Sequence, residues 1–167
     1  MNVFTKNKSY RMFNTQMLFE PGYTIRNDIP LWYKFFRNVR KALKLVVQRL
    51  GVHIPILIDL NNYDFVSRRI VQRRHKPDTY YGYFCDWDNS PRRVMKNSTI
   101  YKNVSPVKFE HYLSKLADKA VKNGVDYIFI NAWNEWAEGT YLEPDEKNGY
   151  GYLEAVKRVV NRCGVKN

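Results

Sequence analysis

Cysteine is scarce: Cys85 and Cys163 are the only two in 167 residues. They lie far apart, form no CxxC pair and have no nearby histidine pair, which argues against a disulfide framework or zinc site and for reduced thiols. His53, His75 and His111 are scattered without ligand spacing and read as structural. Long apolar runs are missing as well, none approaching the roughly 20 residues of a membrane helix. The opening MNVFTKNKSYRM has no apolar signal core, so a cytoplasmic location is expected. Zinc-finger spacing, an RNP-like aromatic motif and a Gly-rich KH loop are all absent, so nucleic acid is not an expected partner. No repeat, low-complexity tract or Pro/Gly/Ser linker divides the chain, and its length suits one domain.

Acidic residues are few at the start. Residues 1–50 carry ten Lys/Arg against two acids, residues 51–100 eight against five, and residues 101–167 ten against nine, for a net charge of +12. The excess is therefore N-terminal, and it invites an anionic partner such as a lipid surface or an acidic ligand.

What is present is an alternation of short apolar runs and amphipathic stretches. Strands are expected at 17–19, 54–58, 80–84 and 126–131, and helices at 31–50, 64–74, 106–123 and 151–162. Ser105-Pro106 is a helix start, with serine as N-cap and proline at the first position. Phe109, Tyr112, Leu113, Leu116, Ala117 and Ala120 then share one face. Strand, loop, helix, strand is the grammar of a parallel α/β protein, whose chemistry sits on loops leaving the carboxyl ends of strands. Two tryptophan-bearing loops occupy such places, one around Asp86-Trp87-Asp88-Asn89 and one in INAWNEWAEGTYLEP. They are expected to share a rim.

The second loop concentrates carboxylates in a basic chain. Glu135 and Glu138, three residues apart, can face the same side of a turn. Glycosyl chemistry often needs two carboxyls with different roles, one protonated and one ionised. Trp133 and Trp136 offer flat faces for pyranose rings, and Asn131 and Asn134 offer donors and acceptors for hydroxyls. An E-x-x-E on a loop is also a common structural pattern.

AWNEWAEGTYLEPDEKNGYGYLEAVKRVV closely resembles the signature of the WbsX-type family of bacterial surface-polysaccharide proteins, whose domain is related to glycoside hydrolase family 99. CDWDNSPRR matches that family's tryptophan-aspartate-asparagine plus arginine block, and residues 106–120 resemble the joining segment. The likeness runs over 63–160. It implies a (β/α)8 barrel and retaining chemistry on an α-mannoside-like sugar in O-antigen or capsule metabolism, with an oligosaccharide or lipid-linked glycan as partner and no metal or cofactor. The relatives' N-E-W-x-E-G falls on Asn134, Glu135, Trp136, Glu138 and Gly139. It implies Glu138 as general acid/base and Glu135 as the base that takes a proton from the substrate's own 2-hydroxyl, which attacks to give an epoxide-like intermediate. Ala137 stands where the hydrolases carry histidine, so acceptor or substrate can differ.

A whole (β/α)8 barrel takes about 250 residues. The expectation is therefore a single partial domain over 1–167, the C-terminal half of a TIM-barrel-like α/β fold, truncated or split, with a separately encoded N-terminal half as partner. A glycan-binding or scaffold remnant without turnover is the rival reading. A nucleotide-sugar glycosyltransferase is another, since Asp86-Trp87-Asp88 also spells the D-x-D that holds a metal on a diphosphate. Sugar-hydroxyl contacts from Asp88 and Asn89, beside Trp87, compete with that metal reading. Arg92 and Arg93 can meet an anionic group on the glycan or pair with a nearby aspartate. Glu143 and Asp145 either line the same cleft or belong to a structural loop that turns at Gly149, the favoured reading. Finally, residues 31–50 place Trp32, Phe35, Phe36, Val39, Leu43, Val46, Val47 and Leu50 in one stripe, with Lys34, Arg37, Lys41, Lys44 and Arg49 mostly outside it. Such a helix either packs its stripe on the strands or lies weakly on an anionic membrane, peripheral to the inner membrane.

Overall fold

The computed structural model describes residues 15–50, 59–93 and 98–164. Its best-defined sequence signal is honoured: helix α4, Pro106–Lys122, starts with the Ser105 hydroxyl accepting from the Lys108 amide at 3.3 Å. The buried face of α4 is Phe109, Tyr112, Leu113, Leu116, Ala117 and Ala120, the six positions that the periodicity assigns. Helix α3, Tyr63–Gln72, is capped by the Asn62 side chain on the Phe65 amide, and α5, Gly151–Arg162, buries Tyr152, Ala155 and Val159. α4 packs between α3 and α5.

These helices cover one face of a three-stranded parallel sheet ordered β1-β3-β5. Its strands are Gln16–Met17, Thr79–Phe84 and Ile128–Asn131. Met17 pairs with Tyr80, while Tyr81 to Phe84 pair in order with Ile128 to Asn131. Tyr83 points into the helical layer and stacks on Phe109 at 5.6 Å. Its hydroxyl donates to Ser67 and lies 3.0 Å from that of Tyr63, a buried polar chain satisfied internally. Gly82 is required in the middle strand, because a Cβ there would sit 1.7 Å from the Leu18 carbonyl oxygen. On the other side, Tyr80 meets Tyr127 and Phe129 edge to edge, and the latter two are exposed.

Strand, helix and parallel pairing make this an α/β protein, as the sequence indicates. Two elements depart from the pattern-based reading. A parallel pair forms between β2, Asp59–Asn62, and β4, Thr99–Lys102, segments too polar and short to stand out. The strand expected at 54–58 lies outside the described residues. After the short helix α1, Gly22–Asn27, helix α2, Leu31–Arg49, forms where expected but turns its apolar stripe to solvent, with Leu31, Phe35, Phe36 and the following Leu50 at least 60% exposed. It attaches through the opposite side. Tyr33 stacks on Phe65 at 4.9 Å and donates to Asn61 at 2.8 Å, and Arg37 donates to the Ile25 carbonyl. The strands therefore do not receive the stripe.

A buried ionic knot joins β1 to α3 across more than fifty residues. Arg73 donates to Glu20 at 2.7 Å, to Asp28 at 3.0 Å and to the Thr24 hydroxyl, while Glu20 also accepts from the Thr24 amide at 3.1 Å. Glu20 is buried, and the loss of water raises its carboxyl above the usual range despite the guanidinium beside it. Arg73→Ala would strand that carboxylate without its partner. Chemical denaturation should show a loss of about 3–5 kcal/mol, whereas a loss within that of an exposed substitution, about 0.5 kcal/mol, would contradict the knot's role.

Candidate active site

β3 and β5 are parallel neighbours, so the loops after Phe84 and Asn131 must leave the same edge. After β5 the chain folds into a tight hairpin. Strands β6, Asn134–Glu135, and β7, Thr140–Tyr141, pair antiparallel around a single 3-10 turn, Trp136–Glu138. Gly139 closes the turn in the left-handed region at φ 61°. The stem is tied down by the buried Thr140 hydroxyl, which donates to the Asn131 carbonyl at 2.6 Å, and by the Leu142 amide on the Trp133 carbonyl at 2.9 Å. Asn131 is itself occupied, its amide donating to the Glu20 carbonyl at 3.1 Å. It holds strand ends together, whereas Asn134 is exposed.

The loop after β3 locks onto this hairpin. The Asp88 amide donates to the Glu138 carbonyl at 2.9 Å. A side chain at position 139 would place its Cβ 2.7 Å from the Asp88 carbonyl oxygen, so glycine is what lets the backbones meet. Arg92 then reaches from the same loop to the Glu138 carboxylate as an ion pair. The shared rim expected from sequence is thus formed, and Arg92 takes a glutamate rather than an aspartate.

Within the rim the residues differ in availability. Glu135 is the N-cap of the 3-10 turn, its own backbone outside the helical region at φ −86° and ψ 69°, and Glu138 ends the turn three residues on. Glu135 is exposed, and no side-chain partner holds it among the described residues. Trp136 stacks one face on Tyr141 at 3.9 Å and 15°, and its indole N–H donates to Glu143 at 2.6 Å, which fixes the ring while leaving it about half exposed. Trp133 is exposed as well. Trp87 instead packs against the core, and its carbonyl accepts from the Tyr101 amide. Asn89 is buried with its side-chain oxygen on the Thr99 amide at 2.7 Å, anchoring the loop to β4. Asp88 accepts from the Ser90 amide at 2.9 Å. Beyond the hairpin, Asp145 accepts from the Tyr141 hydroxyl and from Asn148, bonds that shape the 145–149 loop.

The residue that motif reading undervalues is Asp86. It follows the end of β3 by two positions and accepts from the Trp87 amide at 2.6 Å. Burial pushes its carboxyl up to about 6, with Asp88 adding to the shift and the Trp87 amide and Lys147 offsetting part of it. A carboxyl that changes charge near neutrality on a loop at the strand ends is a candidate for proton chemistry. The signal available in sequence was its place at a strand end, outweighed there by the D-x-D reading. Next to it, burial pushes the Cys85 thiol up to about 12, so this free cysteine is unreactive packing.

The family model described as "Glycosyltransferase WbsX" matches residues 2–156. The chain belongs to the WbsX family. The family match reaches well upstream of residue 63, where the motif likeness begins, and spans both rim loops. Two similar proteins are each called uncharacterized protein WxcX, from Xanthomonas campestris pv. campestris strains B100 and ATCC 33913. Each is 37% identical over 109 residues, 63% of this chain but 16% of the relative's length. The chain therefore corresponds to a small part of these longer WxcX proteins. No solved structure matches this WbsX-family chain.

Asp86 makes a pH-dependent prediction. Its folded-state value, about 6, lies above the unfolded value of about 4, so its contribution is greatest below about pH 4 and is lost as pH rises through about 6. Asp86→Asn keeps the acceptor oxygen and removes the charge. Denaturation at pH 7 should show a gain of about 1–3 kcal/mol that disappears at pH 4; an equal effect at both pH values would contradict the assignment.

Proposed function

We propose that this chain supplies the two-glutamate rim of a carbohydrate-active protein of bacterial surface-polysaccharide (O-antigen or capsule) metabolism. In this reading it acts on α-mannoside-like glycosyl units, hydrolysing or transferring them with retention. Glu138 serves as general acid/base, and Glu135 takes the proton of the substrate's own 2-hydroxyl. Trp136, pre-set by Tyr141 and Glu143, and Trp133 are the ring platforms. Asn134 and Asp88 contact hydroxyls, and Arg92 holds Glu138 as an ion pair in the resting site. Trp87 and Asn89 shape the rim from beneath. The observation that carries the reading is the 3-10 turn entered by Glu135 and ended by Glu138 at the carboxyl edge of β5, interlocked with the loop after β3.

The fold that completes such a rim is a (β/α)8 barrel, of which this chain is the C-terminal half. Parallel strands with both sheet edges unpaired by other described strands, and exposed Tyr127 and Phe129 on the face away from the helices, support that view.

One observation favours the rival reading of a glycan-binding remnant. A carboxyl that is to give up a proton cannot at the same time be the anionic partner of a guanidinium, and Glu138 is held by Arg92. Catalysis requires that pair to open. Arg92 is the more exposed member, 48% against 18%, and Glu138 is fixed through its backbone, so Arg92 is the one that moves. The nucleotide-sugar glycosyltransferase alternative asks Asp86 and Asp88 to hold a metal-diphosphate, whereas both carboxylates bond amides of their own loop.

The test uses a full-length family member carrying both rim loops. Glu138→Gln and Glu135→Gln should each lower turnover of an activated α-mannoside about 10²–10⁴-fold while melting stays near the parent's. Undiminished turnover per folded molecule in both variants would sink the two-glutamate mechanism, and glycan binding without turnover in the parent would favour the remnant.

A further inference from the structure

We propose that α2 is an interfacial helix by which this protein docks on an anionic lipid surface, independently of what the rim loops do. The argument begins with direction. An amphipathic helix of a folded domain normally gives its apolar stripe to the core. In α2 the stripe of Leu31, Trp32, Phe35, Phe36, Val39 and Leu43 faces solvent, continued by Val46 and Leu50. The attachment is made by Tyr33 and Arg37 from the other side, through ring stacking on Phe65 and hydrogen bonds to Asn61 and the Ile25 carbonyl. The domain thus holds the helix so as to present the stripe. Trp32 touches Phe65 edge-on at its near margin and is still 57% exposed.

Charge identifies the occupant. The nineteen residues of α2 contain six Lys/Arg and no acid. A second copy laid on the stripe would bring two such helices together, like charge against like charge. An anionic headgroup layer satisfies both halves of the helix, taking the apolar stripe into the acyl boundary and the basic flank at the phosphates. Lys34 and the exposed Arg49 stand at the two ends of that arrangement. Trp32 supplies the aromatic ring that favours a membrane–water boundary. The geometry is one of lying on the surface: no described helix is long and apolar enough to cross a membrane.

The whole chain should be floated with phosphatidylcholine vesicles, with and without phosphatidylglycerol, at low and high salt. Binding is expected to the anionic vesicles alone and to weaken with salt, since the surface potential falls off over roughly 8 Å at physiological ionic strength. Phe35→Ser/Phe36→Ser should abolish it, with circular dichroism and melting confirming a folded chain. Lys34→Gln/Arg49→Gln should weaken partitioning about fivefold per residue and leave the stripe intact. Equal recovery with neutral vesicles, no recovery with either, or binding that survives loss of both phenylalanines would overturn the proposal. So would a dimer in sedimentation that the phenylalanine double variant dissolves, because the stripe would then belong to a second copy, or capture of an acidic protein with no affinity for vesicles.

Discussion

The close approach of two backbones, at Asp88 and at Glu138–Gly139, is the constraint on which the site depends. It joins a loop leaving β3 to a hairpin leaving β5 by one amide-to-carbonyl bond, and it is open only to a glycine at position 139. Everything chemically interesting follows from that contact. It puts Arg92 within reach of Glu138, sets the 3-10 turn on the rim, and leaves the tryptophans of the hairpin facing outward. The Asn131 carbonyl backs it up by accepting both the Thr140 hydroxyl and the Cys85 amide, so strand ends and hairpin stem move together.

Beneath the rim the protein is asymmetric. One side of the sheet is closed by α3, α4 and α5 around buried tyrosines whose hydroxyls are satisfied internally, which makes the loops' foundations stiff. The other side leaves Phe129 and Tyr127 exposed, and α2 projects an apolar stripe. Exposed apolar surface on this scale is the mark of a surface with a partner. The two patches differ in character: the sheet face is flanked by strand edges, whereas α2 carries six Lys/Arg and no acid.

Where local chemistry decides an element, the sequence is legible. α4 could be read with its cap and its buried face because serine, proline and a 3.6-residue period all act within a few residues. The rim loops were legible from their place after apolar runs. Roles settled by distant partners were not. That the Thr99 amide takes the side-chain oxygen of Asn89, and that Trp87 lies against the core, are placements no local pattern states. The knot of Glu20, Asp28 and Arg73 depends on side chains some fifty residues apart, and nothing in the short polar DLNN and TIYK segments announces a strand pair. For α2 the periodicity states that an apolar partner is wanted, and cannot state on which side it stands.

The most direct measurement is amide hydrogen exchange at Asp88. If the loop after β3 and the glutamate hairpin form one interlocked rim, the Asp88 amide should exchange as slowly as the amides of β3. In Gly139→Ala its protection should collapse while the amides of α4 stay protected. Fast exchange at Asp88 in the parent protein, or unchanged protection in the variant, would contradict the account.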